Sequence, residues 1–203
     1  IMSSDWSSDV CSSDLMFFIL DTGLRTTTIM ELAVGESLRL NFAYQTRIRG
    51  LGKGEALDVL FSDGNQLEMS GISGFNHDVH VLMRNDFNLS TRLGRRVHGI
   101  IGYDVFKDLI VEINYERKLI TFHNPLHYNY KRQTRWMETF SIEILNDKPY
   151  INAYLEVEDD EKMPVKMLID TGASDALWIF RQTNENIGLP KNSIETYLGR
   201  GLN

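Results

Sequence analysis

The chain has 203 residues, 42% of them hydrophobic, with a single cysteine and a formal net charge of −7. That balance argues against a nucleic-acid binder, which would present a basic face, and one cysteine allows no internal disulfide. No apolar stretch approaches the roughly 18 residues that a membrane-spanning helix requires.

Asp5 to Leu15 reads DWSSDVCSSDL, one reading frame of a common sequencing adapter, so 1–15 is set aside as an artefactual tail and Met16 need not be a natural start. Cys11, Asp5, Asp9 and Asp14 go with it, leaving 188 residues with no thiol and a net charge of −4.

The apolar run Phe17 to Leu20 predicts a buried strand ending on Asp21, Thr22 and Gly23. A β-rich stretch over Thr26 to Met30 follows, then a short helical piece over Glu31 to Leu38. Strands over Leu38 to Ile48 and Ala56 to Phe61 enclose Gly50, Leu51, Gly52, Lys53 and Gly54, so Tyr44 to Leu60 reads as a hairpin whose glycines give a small, mobile tip. Val79 to Met83 predicts the next strand. The segment His98 to Phe106 contains Ile100, Ile101 and Gly102, with a short helical piece over Asp104 to Asp108. A hairpin then pairs Leu109–Tyr115 with Leu119–Phe122, turning at Tyr115 to Lys118.

Pro125, several tyrosines, Lys131, Arg132 and Arg135 mark 125–136 as a surface linker between a first lobe, 16–124, and a second, 137–203. Strands over Tyr150 to Val157 and Val165 to Ile169 flank the acidic stretch Glu156 to Glu161, a solvated hairpin loop. The second strand ends on Asp170, Thr171 and Gly172. Ala176 to Phe180 is again β-rich, Arg181 to Ile187 is a short helical piece, and Leu198, Gly199, Arg200 and Gly201 close the pattern. The expected class is all-β in two lobes.

Chance places two Asp-Thr-Gly tripeptides in about 1 in 1,000 chains of this length, so the pair reads as an internal repeat. The acids recur at an offset of 149 residues, and Leu51-Gly52-Lys53-Gly54 returns as Leu198-Gly199-Arg200-Gly201 at an offset of 147. Two markers in register indicate a duplicated unit.

With the acid turn, the glycine-tipped hairpin and the Ile100-Ile101-Gly102 segment in this order, the sequence resembles the pepsin and retropepsin superfamily of aspartic proteases. It looks closest to bacterial single-chain retropepsin-like proteins with two such turns. The resemblance implies two pseudo-symmetric β-barrel lobes of the acid protease fold, a glycine-tipped flap over an extended peptide substrate, and an exported, cell-envelope protein. It implies no cofactor and no metal, and lobes that pair within one chain. In that family the Ile100-Ile101-Gly102 strand packs beside the acid loop.

Two carboxylates held about 3 Å apart cannot both ionise, so one serves as base toward a bound water and the other as acid. Asp21 and Asp170 are the candidates. Thr22 and Thr171 are expected to bond across the lobe interface, while Gly23 and Gly172 admit main-chain N–H groups close to the carboxylates. The second turn continues Ala173, Ser174 in the family manner; the first continues Leu24, Arg25, where a hydroxyl or small acid is more usual. Arg25 is expected at the surface.

The second half stops at Asn203 without counterparts of Ile100 to Phe122, so its lobe is expected to be incomplete and this piece alone inactive. Among other conspicuous residues, His98 is expected to be structural and Trp178 to pack in the core. Three functional classes remain open: an aspartic endopeptidase, a catalytically inactive protease-like peptide-binding module, and an actin-like or sugar-kinase phosphotransferase.

Overall fold

The computed structural model describes residues 16–30, 38, 40–49, 55–69, 72–84, 88–130, 137–156, 162–180, 187–188 and 192–196. Strands dominate them, and the chain is all-β in class. No helix among these residues is long and apolar enough to cross a membrane.

The first half is organised by one strand inserted into the acid loop. The chain enters that loop on β1 (Phe18–Leu20) and leaves it on β2 (Thr27–Ile29). These two strands do not pair with each other. β6 (Gly99–Ile101) lies between them, parallel to β1 and antiparallel to β2. β3 (Phe42–Ile48), β4 (Leu57–Met69) and β5 (Ile72–Leu82) complete a mixed six-stranded sheet in the order β1-β6-β2-β5-β4-β3.

Burial on both faces explains why β1 and β6 carry apolar residues without alternation, and in the equally buried β2 the threonines Thr27 and Thr28 satisfy their hydroxyls by hydrogen bonds. On one face Met30, Val59, Leu82 and Ile100 form a cluster flanked by Ile19, Leu24, Ile48, Leu57 and Leu89. On the opposite face Ile29, Val79 and Val81 pack with Leu40 and Leu60. Leu20, Ile101 and Phe106 join Met69 and the hairpin of β7 (Ile110–Asn114) and β8 (Leu119–His123) through Val111, Ile120 and Phe122. Each such side chain contributes about 1.5–3 kcal/mol on full burial, so the loop carrying Asp21 is fastened at both ends to the best-packed part of the molecule.

Among the described residues, the second half forms a three-stranded antiparallel sheet of β9 (Glu143–Leu145), β10 (Lys148–Glu156) and β11 (Lys162–Leu168). Glu156 pairs with Lys162 across the acidic stretch, whose residues 157–161 lie outside the described set. Ile142, Ile144 and Tyr154 are exposed here.

Several expectations need correction. β4 and β5 extend well past Phe61 and start before Val79, because Asp63-Gly64-Asn65, which resembles a turn, forms bulges inside a long hairpin instead. Gly64 adopts φ 66°, and the Asn65 amide donates to the carbonyls of Ser62 and His77 at 3.1 and 2.9 Å, replacing ladder bonds lost at the bulge. The strand expected from Leu38 begins only at Phe42. The helical piece at Asp104–Asp108 is a 3-10 turn over Tyr103–Val105. A five-residue helix, α1 (Leu89–Leu93), was not anticipated; it ends on Gly94 at φ 64° with Gly94 and Arg95 amides bonding back to Thr91 and Ser90.

Ala176 to Phe180 forms no strand, and Leu177, Trp178, Ile179 and Phe180 are exposed. Trp178 is therefore not a core residue: its side chain reaches sideways, donating the indole N–H to Asp175 at 2.7 Å. The helical pieces expected at Glu31–Leu38 and Arg181–Ile187 fall almost wholly outside the described residues, as does the cationic part of the linker.

Candidate active site

Each acid turn closes on its own carboxylate. Asp21 Oδ1 accepts the amides of Gly23 at 2.7 Å and Leu24 at 3.1 Å. Asp170 Oδ1 accepts those of Gly172 at 2.8 Å and Ala173 at 3.2 Å. The two halves thus repeat one geometry, with Asp21 directly after β1 and Asp170 two residues after the end of β11. The Asp21 amide is itself tied down, donating to the Ile101 carbonyl at 3.0 Å.

The turns meet through their threonines. The Thr22 hydroxyl donates to the Ile169 carbonyl at 2.5 Å, and the Thr171 hydroxyl donates to the Leu20 carbonyl at 2.8 Å. Each hydroxyl also accepts the other threonine's amide, Thr22 N–H to Thr171 Oγ1 at 3.2 Å and Thr171 N–H to Thr22 Oγ1 at 3.1 Å. Four bonds related by a local two-fold place the acids side by side.

The glycines make that approach possible. A Cβ at Gly172 would lie 2.6 Å from the Asp21 carboxyl carbon, and one at Gly23 would lie 3.0 Å from that of Asp170. Burial, then the charge of Asp170 and a hydrogen bond to it, push the Asp21 carboxyl up from 3.8 to about 6 against the Gly23 and Leu24 amides. The site can therefore hold one proton on a carboxyl pair at mildly acidic pH.

Ile100, Ile101 and Gly102 brace the loop from behind. Ile100 pairs with Ile19 on one side and Thr28 on the other, and Ile101 with Leu20. At Gly102 a Cβ would fall 2.6 Å from the Arg25 carbonyl oxygen. The following residues continue the bracing: Tyr103 and Asp104 amides donate to Leu24 and Arg25 carbonyls at 2.8 and 3.1 Å.

Two further groups belong to this frame and were not singled out from sequence. Thr27 Oγ1 accepts the Gly102 amide at 3.2 Å and donates to Asp104 Oδ1 at 3.4 Å. The available signal was a hydroxyl residue inside an apolar strand and an acid two places after Gly102. Asp104 is mostly buried, and that burial, partly offset by bonds from Thr27 and Val105, raises its carboxyl from 3.8 to about 6.

Arg25 turns away from the acids. Its Nε lies 2.8 Å from Asp147 Oδ2, with the side chains 70% and 41% exposed. His98 is a framework residue: its Nδ1 accepts the Phe17 amide at 2.8 Å and its ring stacks on Phe17. Ser174 is exposed beside the second turn.

The expected flap tips, Gly50 to Gly54 and Leu198 to Gly201, lie outside the described residues. The first is bracketed by β3 and β4, whose pairing reaches Ile48 with Leu57. Both of these pack against the Met30, Val59, Leu82 and Ile100 cluster, as does Leu24, three residues beyond Asp21, so the hairpin root and the acid loop share one core. Among the described residues no three His, Cys, Asp or Glu side chains converge as a metal site.

The chain matches no family model, and no curated protein matches it significantly.

Proposed function

We propose that this protein is an aspartic endopeptidase with two retropepsin-like lobes, hydrolysing extended peptides by a water activated between Asp21 and Asp170. The observation that carries this reading is the mutual approach of the two carboxyls, each cradled by two amides of its own turn and admitted by the other turn's glycine.

In this reading Asp170 takes a proton from the water as its oxygen attacks the scissile carbonyl carbon. Asp21, which keeps its proton to about pH 6, donates it to the carbonyl oxygen, giving a tetrahedral diol. Collapse of the diol breaks the C–N bond as the nitrogen takes the proton held by Asp170 and a diol hydroxyl returns one to Asp21, which leaves the pair sharing one proton again. Both proton-transfer roles come from the carboxyls, so the reading calls for no cofactor. The β3–β4 hairpin supplies the flap that closes over the peptide.

Engagement of Arg25 by Asp147 leaves Asp21 with its neighbouring acid, not a neutralising cation, which favours an active pair over an inactive binding module. The predominance of strands, with a five-residue helix among the described residues, gives no support to a phosphotransferase.

Cleavage of an unstructured protein by the full-length parent should be lost in both Asp21→Asn and Asp170→Asn, and a statine-type inhibitor should block that parent. Undiminished cleavage in either variant would sink the shared-acid mechanism.

A further inference from the structure

We propose that Arg25 and Asp147 form an interlobe clasp that sets the angle between the two acid turns. Its kinetic consequence rests on the peptidase reading above; its structural consequence does not.

The four threonine bonds lie close together on the local two-fold, so they resist separation of the halves better than rotation about that axis. An off-axis tie is needed to hold the angle. The Arg25–Asp147 pair has that position. Arg25 follows Asp21 by four residues, and its carbonyl is held by the Asp104 amide. Asp147 is presented from the other half at the β9–β10 turn, which Leu145 and Lys148 close. Asn146 and Asp147 adopt φ 51° and 59°, the left-handed pair of a two-residue hairpin turn.

From that turn the connection to the second acid is short and hydrogen-bonded. The Pro149 carbonyl accepts the Ile169 amide at 2.9 Å, one residue before Asp170. The Ile169 carbonyl in turn accepts the Thr22 hydroxyl. A closed circuit therefore runs from Asp21 through Arg25, Asp147, β10 and Ile169 back to Thr22. Tyr103, next to the bracing Gly102, also feels the Asp147 charge. Ser174, the counterpart of Arg25 in the second turn, carries no charge, so the tie is one-sided.

Both partners are exposed, and such pairs add little to global stability. Their effect should appear in alignment, where small displacements are costly to catalysis. The test is a double-mutant cycle of Arg25→Gln, Asp147→Asn and the pair together. Asn tolerates the left-handed backbone at 147, so no strain is introduced. Two readouts apply: exchange rates of the Thr22 and Thr171 amides, and peptidase kcat/KM.

Each single variant should speed amide exchange and lower kcat/KM by about threefold to tenfold, with the double variant no worse than either single. In the parent, raising salt from about 0.1 M to about 1 M, which shortens the screening length from roughly 10 to 3 Å, should have the same effect. Single variants indistinguishable from the parent, or losses that multiply in the double variant, would overturn the clasp. If amide exchange follows the cycle while even the full-length parent cleaves nothing, the clasp stands and the peptidase reading fails.

Discussion

Thr22 and Thr171 exchange hydrogen bonds reciprocally: each hydroxyl accepts the other's amide and donates to the carbonyl preceding the other's aspartate. Neither hydroxyl can be removed without leaving an amide and a carbonyl of the other half unpaired. Thr22→Val and Thr171→Val keep the shape but strip one donor and one acceptor from this network. Each should cost about 1–3 kcal/mol, read as a fall in urea midpoint, and the double variant should cost less than the sum because loss of either pair of bonds already loosens the contact that aligns the other. Additive losses would mean that the threonines act separately.

The glycine contacts are unequal, and the inequality makes a rank order. An alanine methyl at 172 would sit 2.6 Å from the Asp21 carboxyl carbon, whereas one at 23 would sit 3.0 Å from that of Asp170. The first forces Asp21 off its Gly23 and Leu24 amides; the second is relieved by a smaller shift. Gly172→Ala should therefore lose at least tenfold more activity than Gly23→Ala, an added transition-state cost of about 1.4 kcal/mol or more. Equal losses in kcat/KM would contradict the asymmetry.

Because Asp21 holds its proton to about 6, activity should fall as pH rises through that value, when the pair loses its shared proton. A pH profile of kcat/KM for the parent should show this alkaline limb. A rate still rising beyond pH 7 would assign the proton elsewhere.

The acid turns were legible in the sequence because they are local: an apolar run, an acid, and a threonine and glycine that return amides to it. Their meeting was legible only through repetition, since nothing near Asp21 in the chain names Asp170. Ties made between distant segments were hidden. Arg25 looked out of place beside an acid until Asp147 accounted for its charge, and Thr27 gained its meaning from Gly102 and Asp104. Asp63-Gly64-Asn65 carries turn chemistry in its sequence, yet that chemistry serves bulges within a hairpin. Trp178 misled because aromatic spacing carries no information on whether a second layer covers it.

Asp104 makes the stability of the fold itself pH-dependent. Its carboxyl titrates near 6 in the folded chain, raised from 3.8 chiefly by burial. Between those values the folded state keeps a proton that the unfolded state has released, so stability falls as pH rises through the window. The full effect is present above about pH 6 and absent below about pH 4. Partial solvent access screens the buried charge, leaving about 1–2 kcal/mol. Asp21 contributes in the same direction through its own raised carboxyl. Asp104→Asn keeps an oxygen for the Thr27 hydroxyl and removes the charge. It should raise the urea midpoint near pH 7, change it little near pH 4, and flatten the slope between. An unchanged slope in Asp104→Asn would show that burial does not hold the proton there. A lower midpoint near pH 7 would show that the ionised carboxylate, through its bonds to Thr27 and Val105, fastens the loop behind Asp21 more strongly than burial opposes it.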